Sequence, residues 1–201
     1  MDPLQRLQNE TDFSDQVFEG LDLTGFVFRG KEFDGCTFRR SKLSASVWAG
    51  ARLEDCSFED CDLTQMKPGD VGAHGVRFVR CKLMGTTWEK PAPACQIGFE
   101  ECNLQYASFV SAHLRKTAFV NCRATEVNFV DSDLRDADFA GTDLTAANFQ
   151  NSDLRNADLS TAEGAFVDPT KNRVRGLRIS NQGAALLAMS FGMRVKGYGR
   201  D

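Results

Sequence analysis

The sequence carries very little with which to do chemistry. Only two histidines, His74 and His113, occur in 201 residues. Neither has a carboxylate or a nucleophile at a recognisable spacing, and no glycine-rich phosphate loop opens a helix. Catalysis is not expected, and no cofactor or metal is implied. No run of about eighteen apolar residues is present, which argues against a membrane-spanning helix. The opening MDPLQRLQNE lacks the apolar stretch of a signal peptide. A cytoplasmic protein is the expectation, so the seven cysteines are expected as free thiols rather than disulfides. The length suits one domain with a substantial interior.

What is present is a beat. A large apolar residue recurs at every fifth position through Phe13, Phe18, Leu23, Phe28, Phe33, Phe38, Leu43, Trp48, Leu53, Phe58 and Leu63. It resumes at Phe78, Leu83 and Trp88, slips by one residue, and continues from Phe99 to Leu159 with Ala124 as a weak position. A period of five fits neither a helix nor a plain strand. Two residues before each centre a smaller side chain recurs, as in Cys36, Ser41, Ser46, Ala51, Cys56 and Cys61. Six of the seven cysteines fall on this position, where a thiol behaves as a small hydrophobe. Each unit turns one large and one small side chain inward and its polar residues outward.

The pattern is undiluted in ADFAGTDLTAANFQNSDLRNADLS. Over residues 11–160 it resembles the pentapeptide repeat, A(D/N)LXX. The resemblance implies an all-β fold, a right-handed quadrilateral parallel β-helix in which four units make a twenty-residue coil. Residues twenty apart agree with this: Phe18, Phe38, Phe58 and Phe78 form one column, which Phe99, Phe119 and Phe139 extend beyond the slip. About seven and a half coils at ~4.8 Å give a rod roughly 35 Å long, with open ends that need caps. The expected division is an N-terminal cap at 1–10, the β-helix at 11–165 and a C-terminal capping and dimerisation module at 166–201.

Two breaks interrupt the beat, at 65–77 and 89–98. QMKPGDVGAHGVR keeps phase but puts Pro68 and Ala73 at centres, while EKPAPACQIG puts Pro93 at a centre with one residue too many. Ala73 and Pro93 share a column, so the breaks are expected to adjoin in one bulged patch. Such a patch is either a decayed repeat or a projecting recognition surface. Its candidate contact residues are Lys67, Asp70, His74, Glu89, Lys90 and Cys95, the last also a candidate reactive thiol. Residues 66–98 hold five basic and two acidic side chains, whereas 1–65 hold 13 acidic with 7 basic and 99–165 hold 11 acidic with 5 basic. An acidic rod repels phosphates, so direct nucleic-acid binding is not expected. Outward Asp131, Asp133, Asp136, Asp138, Asp143, Asp153 and Asp158 are expected to offer a negative surface to a basic partner, or simply to keep the rod soluble.

The tail is basic, with seven cationic and two acidic residues in 166–201. It reads as a helix with Ser180 as N-cap and Gly192 as stop. Val174, Leu177 and Ile179 before the helix, with Met193 and Val195 after it, read as short strands. Its apolar surface is expected to cap the last coil and to dimerise through Leu177, Ile179, Leu186, Leu187, Met189, Phe191 and Met193. An intramolecular cap alone is the alternative. This tail, FVRCKLMGTTW and the break positions resemble the topoisomerase-protecting pentapeptide proteins: the quinolone-resistance Qnr proteins, mycobacterial MfpA and the albicidin-resistance proteins. That resemblance implies a homodimeric DNA mimic that engages DNA gyrase and protects it from poisons. A binding scaffold or structural rod with another partner is the alternative.

Overall fold

A five-residue unit builds a square only if the chain turns after each one, and the computed structural model, which describes residues 3–88 and 96–198, shows how. The second residue after most centres takes a left-handed conformation, from Asp15 (φ 52°) and Gly20 (φ 66°) through Asp131 (φ 58°) to Asn156 (φ 60°). Asp, Asn and Gly tolerate this region best, which accounts for their frequency at the corners. At one corner Asp and Gly alternate from coil to coil. A Cβ on Gly75 would come within 2.1 Å of Asp55 Oδ1, and one on Gly35 within 2.5 Å of Asp15 Oδ1.

The four sides are numbered in chain order. Side one begins at Phe13, side two at Phe18, side three at Leu23 and side four at Phe28. On side one, Asp12–Ser14, Glu32–Asp34, Arg52–Glu54 and Gly72–His74 pair in parallel at twenty-residue register. On side two a six-stranded ladder runs from Val17–Glu19 to Phe119–Val120. Sides three and four are joined by single parallel bridges, such as Asp22↔Lys42 and Val27↔Val47.

The large side chains stack inside. Phe18, Phe38, Phe58, Phe78, Phe99, Phe119 and Phe139 form one continuous pile, with ring centroids 4.9–5.3 Å apart and interplanar angles of 3–21°. The pile meets the side-four rings edge-on, as Phe99 meets Phe109 at 5.8 Å and 70°. The smaller inward position has its own task. Ser132, Thr142 and Ser152 donate hydroxyl protons to the carbonyls of Phe109, Phe119 and Phe129 in the preceding coil, at 2.5–2.6 Å. Cys61, Cys81 and Cys102 hand a thiol proton to the carbonyls of Phe38, Phe58 and Phe78 at 3.3–3.4 Å. Serine, threonine and cysteine are thus interchangeable donors that satisfy a buried carbonyl.

The slip between Trp88 and Phe99 is absorbed within one coil. Pairs spanning it are offset by twenty-one residues, as in Val76↔Ile97 and Thr87↔Ser108, and the offset is twenty again at Asn103↔Arg123. The break at 65–77 is an interruption of composition only. Val47↔Lys67 and Leu53↔Ala73 keep normal register. Here the sizes are exchanged: Met66 and Val71 fill the inward position two residues before Pro68 and Ala73. The core stays full, and the expected bulge is absent from this part. Pro93 and the rest of 89–95 lie outside the described residues. Ala73, its expected neighbour, accepts from the amide of Gln96 at 2.8 Å.

Both ends are covered. At the start, helix α1 (Pro3–Asn9) buries Leu7 fully against the first coil. At the other end the ladder runs further than the aromatic beat suggests. Asp153↔Arg173 pair at twenty-residue offset, and Asp158–Leu159 pair with Arg178–Ile179. The boundary expected at 165 therefore falls inside a coil, and the rod makes about eight turns, some 40 Å in length. Helix α2 (Asn181–Ser190) follows, its cap formed by Ser180 Oγ accepting from the Gly183 amide. Gly183 lets α2 approach the last coil, since a Cβ there would lie 3.3 Å from the Ala165 carbonyl. The short strand expected at Met193 and Val195 does not form; that segment is turns and irregular chain.

Candidate partner-binding surfaces

Because the coil is square, each outward residue stacks on the one twenty positions away, and charge can be read side by side. On sides two and three of the N-terminal coils, opposite charges alternate. Arg39 meets Glu59 at 2.9 Å, Arg80 meets Asp60 at 2.7 Å, and Arg40 pairs with Glu19. Side three carries Asp22, Lys42, Asp62 and Lys82 in succession. Side one breaks this rule. Asp12 lies beside Glu32 and Asp34 beside Glu54, with Asp15 and Asp55 at the adjoining corner. All six are exposed. Glu32 has Arg52 at 3.8 Å, and the other five have no ion pair among the described residues.

Further along side one the sign reverses. Arg115, Arg135, Arg155 and Arg175 stack at the position that Asp34, Glu54 and His74 occupy in the earlier coils. With Asp136 and Asn156 they line a groove of about 390 Å³. Three of the arginines are held by carboxylates. Arg135 binds Asp133 at 2.5 and 2.7 Å, Arg155 binds Asp153 at 2.7 and 2.8 Å, and Arg115 reaches Asp136 at 3.1 Å. Those hydrogen bonds hold Asp133 and Asp153 below the usual carboxylate range. Asp136 is lowered by Asn156 first and Arg115 second.

The seven aspartates expected to make one acidic surface do not share a side. Asp133 and Asp153 stack on side one, Asp138 and Asp158 on side two, and Asp143 is on side three, while Asp131 and Asp136 occupy the two corners flanking side one. Asp158 is further neutralised by Arg178. Aspartates that follow one another every few residues in sequence are distributed around the square by its corners. The block on coils one to three was missed for the same reason, although the twenty-residue columns contain it.

Lys67, Asp70 and His74 sit on a regular coil. Lys67 is on side four, His74 extends from side one above Glu54, and Asp70 Oδ1 accepts from the Gly50 amide at 2.7 Å. The small Gly72 and Ala73 leave a shallow hollow of about 540 Å³ bordered by Arg52, Glu54, Asp70 and His74. Glu89, Lys90 and Cys95 lie outside the described residues. Cys81 and Cys102, stacked against neighbouring thiols and buried, are pushed up to about 12, which leaves them protonated and inert.

The tail gathers its apolar residues at the rod's end. Leu177 and Leu187 line a cleft of about 140 Å³ with Val167, Val174, Ile179 and Gly183. Leu186 and Met189 are half-buried, while Phe191 and Met193 are 60% and 58% exposed. Among the described residues no group of His, Cys, Asp and Glu is placed to hold a metal ion, and no helix is long and apolar enough to cross a membrane.

Comparison with known proteins fits this geometry. A profile described as pentapeptide repeats (8 copies) matches residues 32–65, and one described as a pentapeptide repeat region matches 95–164, together just over half of the chain. The quinolone resistance pentapeptide repeat protein QnrB96 of Scandinavium goeteborgense is 29% identical over 126 residues. That match takes in 55% of this chain and 54% of the relative, so the chain spans about half the length of that protein. Two trypsin-treated forms of QnrB1, a plasmid-mediated fluoroquinolone resistance protein, share the fold. One superposes with a TM-score of 0.69 at 22% identity, covering 92% of this chain and 89% of the other. The second gives 0.64 at 19% identity, covering 92% and 99%.

Proposed function

We propose, since the chain belongs to the pentapeptide-repeat family, that it is a non-catalytic, cytoplasmic binding protein of Qnr type whose acidic side occupies a basic DNA-binding surface of a type II topoisomerase such as DNA gyrase. The likeness to a quinolone resistance protein supports this reading. The observation that carries the binding mode is the stack of like charges on coils one to three. Carboxylates placed opposite one another are destabilising. The same coils avoid that cost on sides two and three by alternating sign. A charge arrangement that weakens the fold on one side only is what a surface shaped for a basic partner requires. Its density is also apt. Six carboxylates less Arg52 over three coils give about one net charge per 2.9 Å of rod, against one per ~1.7 Å of duplex axis. The exposed apolar end formed by Ile179, Phe191 and Met193 joins two copies tail to tail, presenting two acidic sides at opposite ends of a longer rod.

Titrating gyrase supercoiling with the protein, with and without a fluoroquinolone or albicidin, tests the reading. The wild type is expected to inhibit supercoiling or relieve drug-stabilised cleavage at micromolar concentration. Asp34→Asn with Glu54→Gln is expected to need at least ~10-fold more protein, since 1.4 kcal/mol lost at an interface is tenfold in affinity. Absence of any effect, or equal potency of the neutralised variant, would sink it. Sedimentation of wild type and Phe191→Glu tests the tail contact separately, and a monomeric wild type removes it.

A further inference from the structure

Four arginines in register depart from the charge alternation of sides two and three. Arg115, Arg135, Arg155 and Arg175 stand one coil apart on side one, at a pitch of about 4.8 Å. Like charges directly opposite one another weaken a sheet. Neighbouring carboxylates offset part of that cost, and in doing so they orient the row. Arg135 donates to Asp133 from Nε and Nη2, and Arg155 donates to Asp153 from the same two atoms. Nη1 of each makes no hydrogen bond among the described residues. Arg175 has neither a hydrogen bond nor an ion pair from its side chain among them. A guanidinium carries five donors in one rigid plane. Arg135 and Arg155 thus each keep a free nitrogen on a head group fixed by a carboxylate, and Arg175 is wholly uncommitted.

The groove of about 390 Å³ that these arginines line contains one acid, Asp136. Its two oxygens accept from Arg115 Nε at 3.1 Å and from Asn156 Nδ2 at 3.2 Å. Four arginines less this aspartate leave the lining at +3, on a chain whose net charge is −4. Adding Asp133, Asp153 and the adjoining Arg173 still leaves +2, from five arginines and three aspartates.

The pitch of the row discriminates between anions. Carboxylates of an extended peptide share a face only every ~6.7 Å and lose step with the arginines within two levels. A duplex strand winds away from a straight row. Linked phosphates carry anionic oxygens on every phosphorus, more closely spaced than the coils, so a short chain engages successive arginines in any phase. Arginine is also the side chain best matched to phosphate, through paired N–H···O bonds. Arg135 to Arg175 spans two coil steps, about 10 Å, which favours a chain over a single phosphate.

We infer that Arg135, Arg155 and Arg175 form a binding site for a linear oligophosphate, the chain lying along the rod axis. The site is on the opposite half of side one from the carboxylates of coils one to three, and it does not depend on the topoisomerase reading.

Isothermal titration of the full chain with tripolyphosphate at about 10 mM salt, without any topoisomerase, tests it. One chain of phosphates per protein is expected to bind, more tightly than inorganic phosphate or the trivalent carboxylate citrate. Arg175→Gln should weaken binding at least ~10-fold and melt like the wild type, since it breaks no ion pair. Lys42→Gln removes the same charge from side three and should change affinity less than ~2-fold, because a local site and not net charge is being read. Titration with a nucleoside triphosphate identifies the source of the chain. Affinity equal to tripolyphosphate admits nucleotides and weaker affinity restricts the site to free chains, and either result upholds it. Absence of tripolyphosphate binding at millimolar concentration would overturn the inference. So would citrate binding as tightly, or equal losses from Arg175→Gln and Lys42→Gln. A single-stranded oligonucleotide that binds more tightly than tripolyphosphate would also overturn it and give the row to nucleic acid.

Discussion

Phe99 sits inside the aromatic pile, just after the coil of twenty-one residues, and tests whether stacking holds the rod together. It is 1% exposed. It stacks on Phe78 at 5.3 Å and on Phe119 at 5.2 Å, and meets Trp88 and Phe109 edge-on at 6.2 and 5.8 Å. Truncation to Ala is expected to cost ~3–5 kcal/mol, as for other buried Phe. The informative change is Phe99→Leu, which keeps most of the apolar burial and loses four ring contacts. Such contacts are worth ~0.5–1.5 kcal/mol each beyond their area. Their sum must remain below the cost of full truncation, so a loss of ~2–3 kcal/mol is expected. Phe149→Leu, the last ring of the side-four stack, removes one stacked and one edge contact and should cost about half as much. Urea unfolding followed by circular dichroism measures both, and an unchanged slope shows that stability alone has moved. If Phe99→Leu costs no more than Phe149→Leu, the pile is a packing convenience and the stacking argument fails.

Three further predictions concern the small inward position, the corners and the ion pairs. Cys102→Ser should lie within ~1 kcal/mol of wild type, because a hydroxyl can serve the Phe78 carbonyl in the same way. Cys102→Val loses the donor and adds bulk, at ~1–3 kcal/mol, and equal thermal midpoints for the two would contradict the donor role. Gly75→Ala places a Cβ against the Asp55 carboxylate at a left-handed residue and should cost ~1–2 kcal/mol, whereas a neutral melt would show that Asp55 moves aside freely. The carboxyls of Asp133 and Asp153 are lowered on folding by their arginines. Their stabilisation is thus complete above the unfolded value near pH 4 and is lost as pH falls through the folded value. Melting scans between pH 7 and pH 2 should show this acid limb, and Arg135→Gln with Arg155→Gln should make it shallower; an unchanged limb would assign acid sensitivity elsewhere.

The coil length and the identity of every buried ring were legible in the sequence, because stacking forces like residues to recur every twenty positions. The outward residues obey the same arithmetic, but Asp131 to Asp158 were grouped by nearness in sequence, and the corners disperse such neighbours over all four sides. Reading the columns of Asp34 and Arg135 instead would have found the polarity of side one. The last coil was hidden because Gly164, Pro169, Val174 and Ile179 carry no aromatic signal, although they keep the beat of five. Pro68 and Ala73 misled in the opposite sense. They look like a defect until Met66 and Val71 are seen supplying the missing volume two residues earlier.

The coil of twenty-one residues has a bearing on how such a chain can change over generations. Its extra residue alters no pairing beyond the adjoining coils, since the twenty-residue offset returns at once. In an ordinary sheet one extra residue within a core strand would turn every later side chain of that strand to the opposite face. Here each turn reads only the turn beneath it, much as a course of bricks takes its line from the course below. An irregularity is forgotten one storey higher, and whole turns can be added or deleted, lengthening or shortening the molecule in steps of about 4.8 Å. Length, and with it the distance between the carboxylates and the arginine row of side one, is then adjustable without redesigning the interior.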